Sequence, residues 1–362
     1  MKKLFRGTAF ASTITVVLLM VVSGSFTAGV GEAQSAGYRL MVTNSMGEHI
    51  SIVEPEIGEV EQFAVGPAPW GIALTEDGRA FVSTATGVAV FDIASETVVA
   101  SVPYLTGIDA VRFGEYRAGG MGIVASPDGE RVYVGVHVNT GPGWLEVLDT
   151  QSLEMVSRVQ VGVRPFEVAI APDGSEVYSI DHDSYTVTVV DTFGMTTHTI
   201  DVAPLGYGGF DKPHYGKVLL DGTLLLPYQG KVMLELDPGI LEPTSRPLTS
   251  DTHMHGISTN AAETCAVIVG TGPAGSASGP PGLTLLDLDT GAESILPLDK
   301  PHEMTVVSDD CTAAYVTGGY SFANGGWDGI SIVDLESGAV TEVPVPDRPL
   351  WIVFVPERTP AS

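Results

Sequence analysis

A repeated sequence line constrains the fold of this chain more than any other feature. The line begins at a proline or its equivalent, continues through a short apolar stretch and usually ends in an Asp-Gly turn. Its copies are PWGIALTEDG from Pro69, MGIVASPDG from Met121, PFEVAIAPDG from Pro165, PHYGKVLLDG from Pro213, HGISTNAAE from His255, PHEMTVVSDD from Pro301 and PLWIVFVPE from Pro349. Internal repeats of this kind indicate successive supersecondary units that bury their apolar faces against one another.

The residues between the copies predict three further strands in each unit. A strand such as ERVYVGV follows most copies, the next strand ends in Asp (VAVFD, LEVLD, VTVVD, LTLLD, ISIVD), and a turn leads to a fourth. Four strands in about 40–50 residues are typical of a β-propeller blade. The segment 38–64 lacks a first strand, and the copy from Pro349 has nothing after its first strand. We therefore predict an all-β, seven-bladed propeller with four antiparallel strands per blade, closed by both chain ends in one blade.

The first residues are typical of a secretion signal. Lys2, Lys3 and Arg6 precede an apolar run over 13–22, and Gly-Glu-Ala at 31–33 offers small residues for cleavage. We predict a signal over 1–33 and one propeller domain over 34–362, in a secreted or periplasmic protein. A retained membrane anchor is the alternative, but the apolar run is shorter than the ~20 residues that a spanning helix needs. No later stretch is predicted to cross a membrane.

The charge of the chain limits its partners. Lys and Arg total 17 against 44 Asp and Glu, which gives a formal charge of −27. Such a surface repels nucleic acid, attracts cations and keeps a protein soluble, so we expect a monomer with no nucleic-acid partner.

Three histidines occupy the same repeat position in consecutive copies. They are His214, His255 and His302, each at the start of a first strand. Because first strands surround the channel of a propeller, we expect the three imidazoles to converge at one rim and to hold Zn or Cu. The alternative is that each ring only packs and makes a hydrogen bond. The residues expected to add ligands, or to hold the imidazoles from behind, are His253, Asp211, Asp299, Asp181, His182 and His137.

The two cysteines are predicted to form a disulfide. Cys265 and Cys311 fall at nearly equivalent places in neighbouring units, and an oxidising compartment favours a disulfide between them over two free thiols.

The long connection over 104–120 carries Tyr116 and Arg117, which we predict to contact a small-molecule ligand.

The strand sequences LMVTN at 40–44 and YSID at 178–181 resemble the YVTN or YncE-like family of secreted seven-bladed propellers. The resemblance implies the fold and leaves the function open. The histidine arrangement is similar to those of the zinc-binding propeller lyases that cleave peptidyl-hydroxyglycine, of periplasmic zinc chaperones with a propeller fold, and of copper-containing selenium-binding-type thiol oxidases.

Three functions are therefore open at the level of sequence. The first is a metal carrier or store, and the second is a metal-dependent lyase, hydrolase or oxidase that uses the same histidines. The third is a metal-free scaffold that binds a protein partner. No phosphate loop, dinucleotide fingerprint or nucleophile elbow is present.

Overall fold

The structure is a computed structural model that describes residues 37–357 except 115, 209–211, 229, 238, 240–241, 251, 253–255, 271–279 and 320–325. In these ranges the chain forms seven four-stranded sheets, and all their strand pairs are antiparallel. The predicted fold is confirmed. The predicted signal over 1–33 lies outside the described residues.

The strands, in chain order, are β1 (Tyr38–Asn44), β2 (His49–Glu54), β3 (Glu59–Ala64), β4 (Ile72–Leu74), β5 (Arg79–Ser83), β6 (Gly87–Asp92), β7 (Thr97–Pro103), β8 (Gly119–Ala125), β9 (Arg131–His137), β10 (Trp144–Asp149), β11 (Glu154–Gln160), β12 (Pro165–Ile170), β13 (Glu176–Asp181), β14 (Thr186–Asp191), β15 (Thr197–Asp201), β16 (Lys217–Val218), β17 (Leu224–Tyr228), β18 (Val232–Leu236), β19 (Thr244–Pro247), β20 (Ile257–Thr259), β21 (Cys265–Gly270), β22 (Gly282–Asp287), β23 (Glu293–Pro297), β24 (Thr305–Val307), β25 (Ala313–Thr317), β26 (Ile330–Asp334), β27 (Val340–Val343) and β28 (Pro349–Pro356). Blades 1 to 6 are β4–β7, β8–β11, β12–β15, β16–β19, β20–β23 and β24–β27. Blade 7 joins the two ends of the chain in the order β28-β1-β2-β3.

Burial differs between the strands of a blade. The middle strands are almost wholly buried, as in β6 and β9, because neighbouring blades cover both of their faces. The outermost strand β11 alternates between half-buried and exposed residues, as expected when one face meets solvent. This difference explains why the apolar runs of the sequence mark the inner part of each blade.

The repeated Asp-Gly turn has a conformational cause. Its last residue has a positive φ in the first four copies, at Gly78, Gly129, Gly174 and Gly222. Glycine adopts this region without the steric cost that a side chain brings. In the fifth copy the equivalent residue is Glu263, which keeps a φ of 51°. The turn geometry is therefore retained where glycine is lost.

The centre of the ring is filled at the level of the first strands. The rings of Trp70 in blade 1 and Phe166 in blade 3 lie 5.2 Å apart, and those of Tyr215 in blade 4 and Trp351 in blade 7 lie 5.8 Å apart. All four are buried in one apolar cluster with Met121, Met304 and Leu350. Because these contacts join blades that are not neighbours, the side chains meet across the axis. In the described part of the chain, side chains from blades 1 to 4, 6 and 7 therefore pack together at this level.

A disulfide joins Cys265, at the start of β21, to Cys311, in the turn before β25. It connects blades 5 and 6, as predicted. Among the described residues there is no helix with the length and apolar character needed to cross a membrane.

Candidate functional site

Two histidines meet at the rim between blades 3 and 4. His182 directly follows β13, and His214 precedes β16; their Nε2 atoms lie 3.0 Å apart. His182 is buried and His214 is half-buried. The end of a second strand and the start of a neighbouring first strand therefore reach the same rim, as the repeat predicts.

Phe166 supports both imidazoles from below. Its ring stacks on His182 with centroids 5.2 Å apart, and it meets His214 edge-on at 4.9 Å. The histidine pair therefore lies on the apolar filling of the channel, which restricts the rotation of both rings.

Asp183 fixes the proton on His182. Its Oδ1 lies 2.9 Å from Nδ1 of His182 and accepts a hydrogen bond from Lys212 Nζ at 2.6 Å, while its Oδ2 lies 2.6 Å from Arg164 Nη2. Burial opposes ionisation of this carboxyl, but the hydrogen bonds from His182 and Lys212 and the charge of Arg164 outweigh burial and hold its pKa well below the usual range. Because an ionised carboxylate only accepts, Nδ1 of His182 donates.

The electrostatics keep His182 neutral. Burial lowers its pKa to about 4, although the hydrogen bond to Asp183 acts in the opposite direction. A neutral imidazole that donates from Nδ1 carries its lone pair on Nε2, which is the atom that faces His214.

Glu167 anchors the segment that carries His214. It lies on β12 and is 7% exposed, and one oxygen of its carboxyl group accepts a hydrogen bond from the backbone N–H of Gly216. Burial raises the pKa of Glu167 to about 8, with the Gly216 hydrogen bond and the charge of Lys217 acting against the shift.

His137 and Arg164 lie at the neighbouring junction of blades 2 and 3. Each is 6% exposed, and Nδ1 of His137 and both Nε and Nη1 of Arg164 have no hydrogen-bond partner in the described part of the chain. Burial lowers the pKa of His137 to about 4, and the positive charge of Arg164 contributes to the lowering. The ring of Tyr116, which is 63% exposed, lies 4.1 Å from the guanidinium carbon of Arg164.

Arg117 is buried and holds backbone segments together instead of facing a ligand. It is 1% exposed and donates to the carbonyls of Ala68, Ala118 and Gly120. Burial lowers its pKa to about 10. The long connection over 104–118 is thus attached beneath the rim by Arg117, and of the two predicted ligand-contact residues only Tyr116 is exposed.

His302 has a different environment from His214. Its Nε2 lies 2.8 Å from Ser331 Oγ in its own blade, and its ring meets Trp327 edge-on at 5.7 Å. Burial lowers its pKa to about 4. Among the described residues, no hydrogen bond or ring contact joins His302 to His214.

Of the remaining predicted residues, the structure describes Asp181 and Asp299. Asp181 is buried and accepts hydrogen bonds from Ser179 and Thr188, so its carboxylate is engaged within blade 3. Asp299 is exposed. His255, His253 and Asp211 lie outside the described residues. Where the structure describes the chain, no three His, Cys, Asp or Glu side chains are grouped so as to hold a metal ion.

The sequence reasoning missed Arg164, Lys212 and Asp183. A signal for the first two was present, because the residue two places before the histidine position is basic in five consecutive copies: Arg164, Lys212, His253, Lys300 and Arg348. Asp183 has no counterpart in the repeat and becomes visible only through its contacts.

Comparison with known proteins supports the fold. No family model and no curated protein matches the chain, so the YVTN or YncE-like resemblance is not confirmed. Hydrazine synthase of Kuenenia stuttgartiensis is similar with a TM-score of 0.58 and 16% identity, over 80% of this chain and 95% of that one. A functionally unknown protein from Desulfotomaculum acetoxidans is similar with a TM-score of 0.64 and 13% identity, over 88% of this chain and 98% of that one. At these identities the likeness shows a shared propeller fold alone.

Proposed function

We propose that this chain is an exported metal-binding propeller that carries or stores a Zn or Cu ion at one mouth of its channel. His182 and His214 supply two of the ligands. The observation that carries the proposal is the 3.0 Å separation of their Nε2 atoms.

The separation suits a shared ion. A Zn–N bond is about 2.0–2.1 Å long, so two nitrogens of one tetrahedral ion lie about 3.3 Å apart. The observed pair at 3.0 Å needs only a small opening to admit the ion. The Asp183 carboxylate already holds the other nitrogen of His182, which is the usual arrangement behind a metal-binding imidazole.

The surrounding charges restrict the kind of metal. Arg164 and Lys212 both contact Asp183, so the immediate surroundings of the pair bring two positive charges and one negative charge. A metal held here must be bound through neutral nitrogen ligands rather than by carboxylate charge. This favours Zn or Cu over Ca or Mg, which prefer oxygen ligands.

The sequence predicts His255 and His302 as further ligands, and of these two the present proposal keeps His255. We expect His255→Ala to weaken metal binding, because a two-nitrogen site needs further ligands. We expect His302→Ala to retain the metal and to lower stability, because Nε2 of His302 is bonded to Ser331.

The test measures metal per chain in protein purified from its own host, by plasma mass spectrometry. His182→Ala and His214→Ala should lose the metal, whereas His198→Ala should keep it, because His198 is exposed on the outer strand β15. Asp183→Asn should weaken binding by about 10- to 100-fold. Full metal content in both His182→Ala and His214→Ala, with unchanged circular dichroism, would refute the proposal.

A further inference from the structure

A second site, distinct from the histidine pair, lies where blade 2 meets blade 3. It is built around Arg164, whose side chain is 7% exposed and whose guanidinium uses one nitrogen, Nη2, in its ion pair with Asp183. Its Nε and Nη1 atoms are buried without a hydrogen-bond partner among the described residues. Buried guanidinium donors normally find acceptors, so two unused nitrogens mark a place for an external acceptor.

The strand pairing brings His137 to the same place. Gly135, two residues earlier on β9, lies so close to blade 3 that an added Cβ would come within 2.8 Å of the Pro165 carbonyl oxygen. Residues two apart in a strand share a face, so His137 projects from the face of β9 that meets the Arg164-Pro165 segment. Nδ1 of His137 is also buried without a partner among the described residues.

We propose that Arg164 and His137 bind the carboxylate group of a small organic acid at this rim, beneath the ring of Tyr116. The guanidinium supplies the charge and two donors, and a neutral His137 supplies a third donor from Nδ1. The aromatic ring of Tyr116 lies over the guanidinium at 4.1 Å and, being largely exposed, is the part of the site that meets solvent.

The charge balance favours a single negative charge. Arg164, Lys212 and Arg117, whose charge acts on His137, bring three positive charges, and Asp183 removes one. A monocarboxylate therefore leaves no excess of negative charge in this buried place, and its two oxygens match the planar fork of the guanidinium.

The site does not depend on the proposed metal. Among the described residues, the nitrogens that it uses form no hydrogen bond with His182 or His214, although Arg164 and His182 both contact Asp183. The carboxylate would bind whether or not a metal is present. The test therefore uses the full chain both as purified and after treatment with a chelator, so failure of one proposal is distinguishable from failure of the other.

The experiment titrates sodium acetate into the protein and follows the histidine ring resonances by ¹H–¹⁵N NMR, with sodium chloride at equal ionic strength as the blank. We expect a saturable shift of the His137 resonances, assigned through His137→Gln. Arg164→Gln should weaken acetate binding tenfold or more, because it removes a charge-assisted donor pair. Arg348→Gln is the matched control, since Arg348 occupies the same repeat position in blade 7 and its side chain is 38% exposed.

Each outcome bears on the proposal. Saturable acetate binding that is lost in Arg164→Gln and kept in Arg348→Gln supports it. The proposal fails if acetate produces no saturable shift in the wild-type chain, which needs no folded variant, or if binding survives Arg164→Gln. Tighter binding of inorganic phosphate than of acetate would also refute the carboxylate assignment.

Discussion

Replacing Glu167 by Gln should markedly change how the stability of the fold depends on pH. The Glu167 side chain is buried on β12, where it accepts a hydrogen bond from Gly216. Burial raises its pKa from 4.5 to about 8, so the folded protein holds a proton that the unfolded chain releases at much lower pH. Glutamine keeps the shape and an amide oxygen to accept from Gly216 but never ionises.

The sign of the effect follows from the raised pKa. Below pH 4.5 the Glu167 carboxyl is protonated in both the folded and the unfolded chain, and the stability is fully present. As the pH rises from 4.5 to about 8, the unfolded chain releases this proton while the folded protein keeps it, so the free energy of unfolding falls. Above about pH 8 both states are ionised and the loss is complete. At 1.36 kcal/mol per pKa unit, the rise from 4.5 to about 8 corresponds to a loss of about 5 kcal/mol, as an upper value, between pH 4 and pH 9.

We therefore expect wild type and Glu167→Gln to have similar free energies of unfolding at pH 4, and the variant to be more stable by several kcal/mol at pH 9. Urea unfolding followed by fluorescence across this range, with the disulfide intact, measures the difference. Exposed Glu59 on β3 provides the control Glu59→Gln, which removes the same charge without a buried carboxyl. If the stabilities of wild type and Glu167→Gln run parallel from pH 4 to pH 9, the carboxyl is not buried as described and the reasoning is wrong.

Two further substitutions test the architecture. Replacing both Cys265 and Cys311 by Ser should lower the free energy of unfolding by about 4 kcal/mol, because the bridge closes a loop with a sequence separation of 46. Denaturant unfolding of the oxidised protein and of the variant measures the difference. Equal unfolding midpoints would contradict this prediction. Arg117→Met should lower the free energy of unfolding by about 3 kcal/mol or more, because three buried carbonyl groups lose their hydrogen-bond donor. Thermal unfolding measures this loss, and a melting temperature within a few degrees of wild type would show that Arg117 is dispensable.

The fold could be predicted from the repeat because the residues of the repeat are those that each turn and strand of a blade requires. The Asp-Gly turns, the apolar middle strands and the incomplete units at the two ends each follow from local constraints, and together they specify seven blades and their closure. The Cys265–Cys311 bridge was predictable for the same reason, since equivalent positions in neighbouring blades lie close together.

The candidate site could be predicted only in part, because a repeat position determines where a Cα lies and not where a side chain points. His214 and His302 occupy the same position, yet one meets His182 and the other bonds to Ser331. The difference comes from neighbours that do not repeat: blade 3 offers an imidazole after its second strand, and blade 6 offers a serine hydroxyl. Asp183, which organises the pair, lies outside the repeated line altogether.

The pairing of β1 with β28 has a mechanical consequence. Tyr38 lies opposite Pro356 in this antiparallel pair, so both ends of the propeller leave the ring at the same point. Tension applied to the two ends separates the hydrogen bonds of that seam one after another, as in a zipper, instead of loading them all at once in shear. Pulling should therefore open the ring at blade 7 under a small force, while the other six blades are still folded.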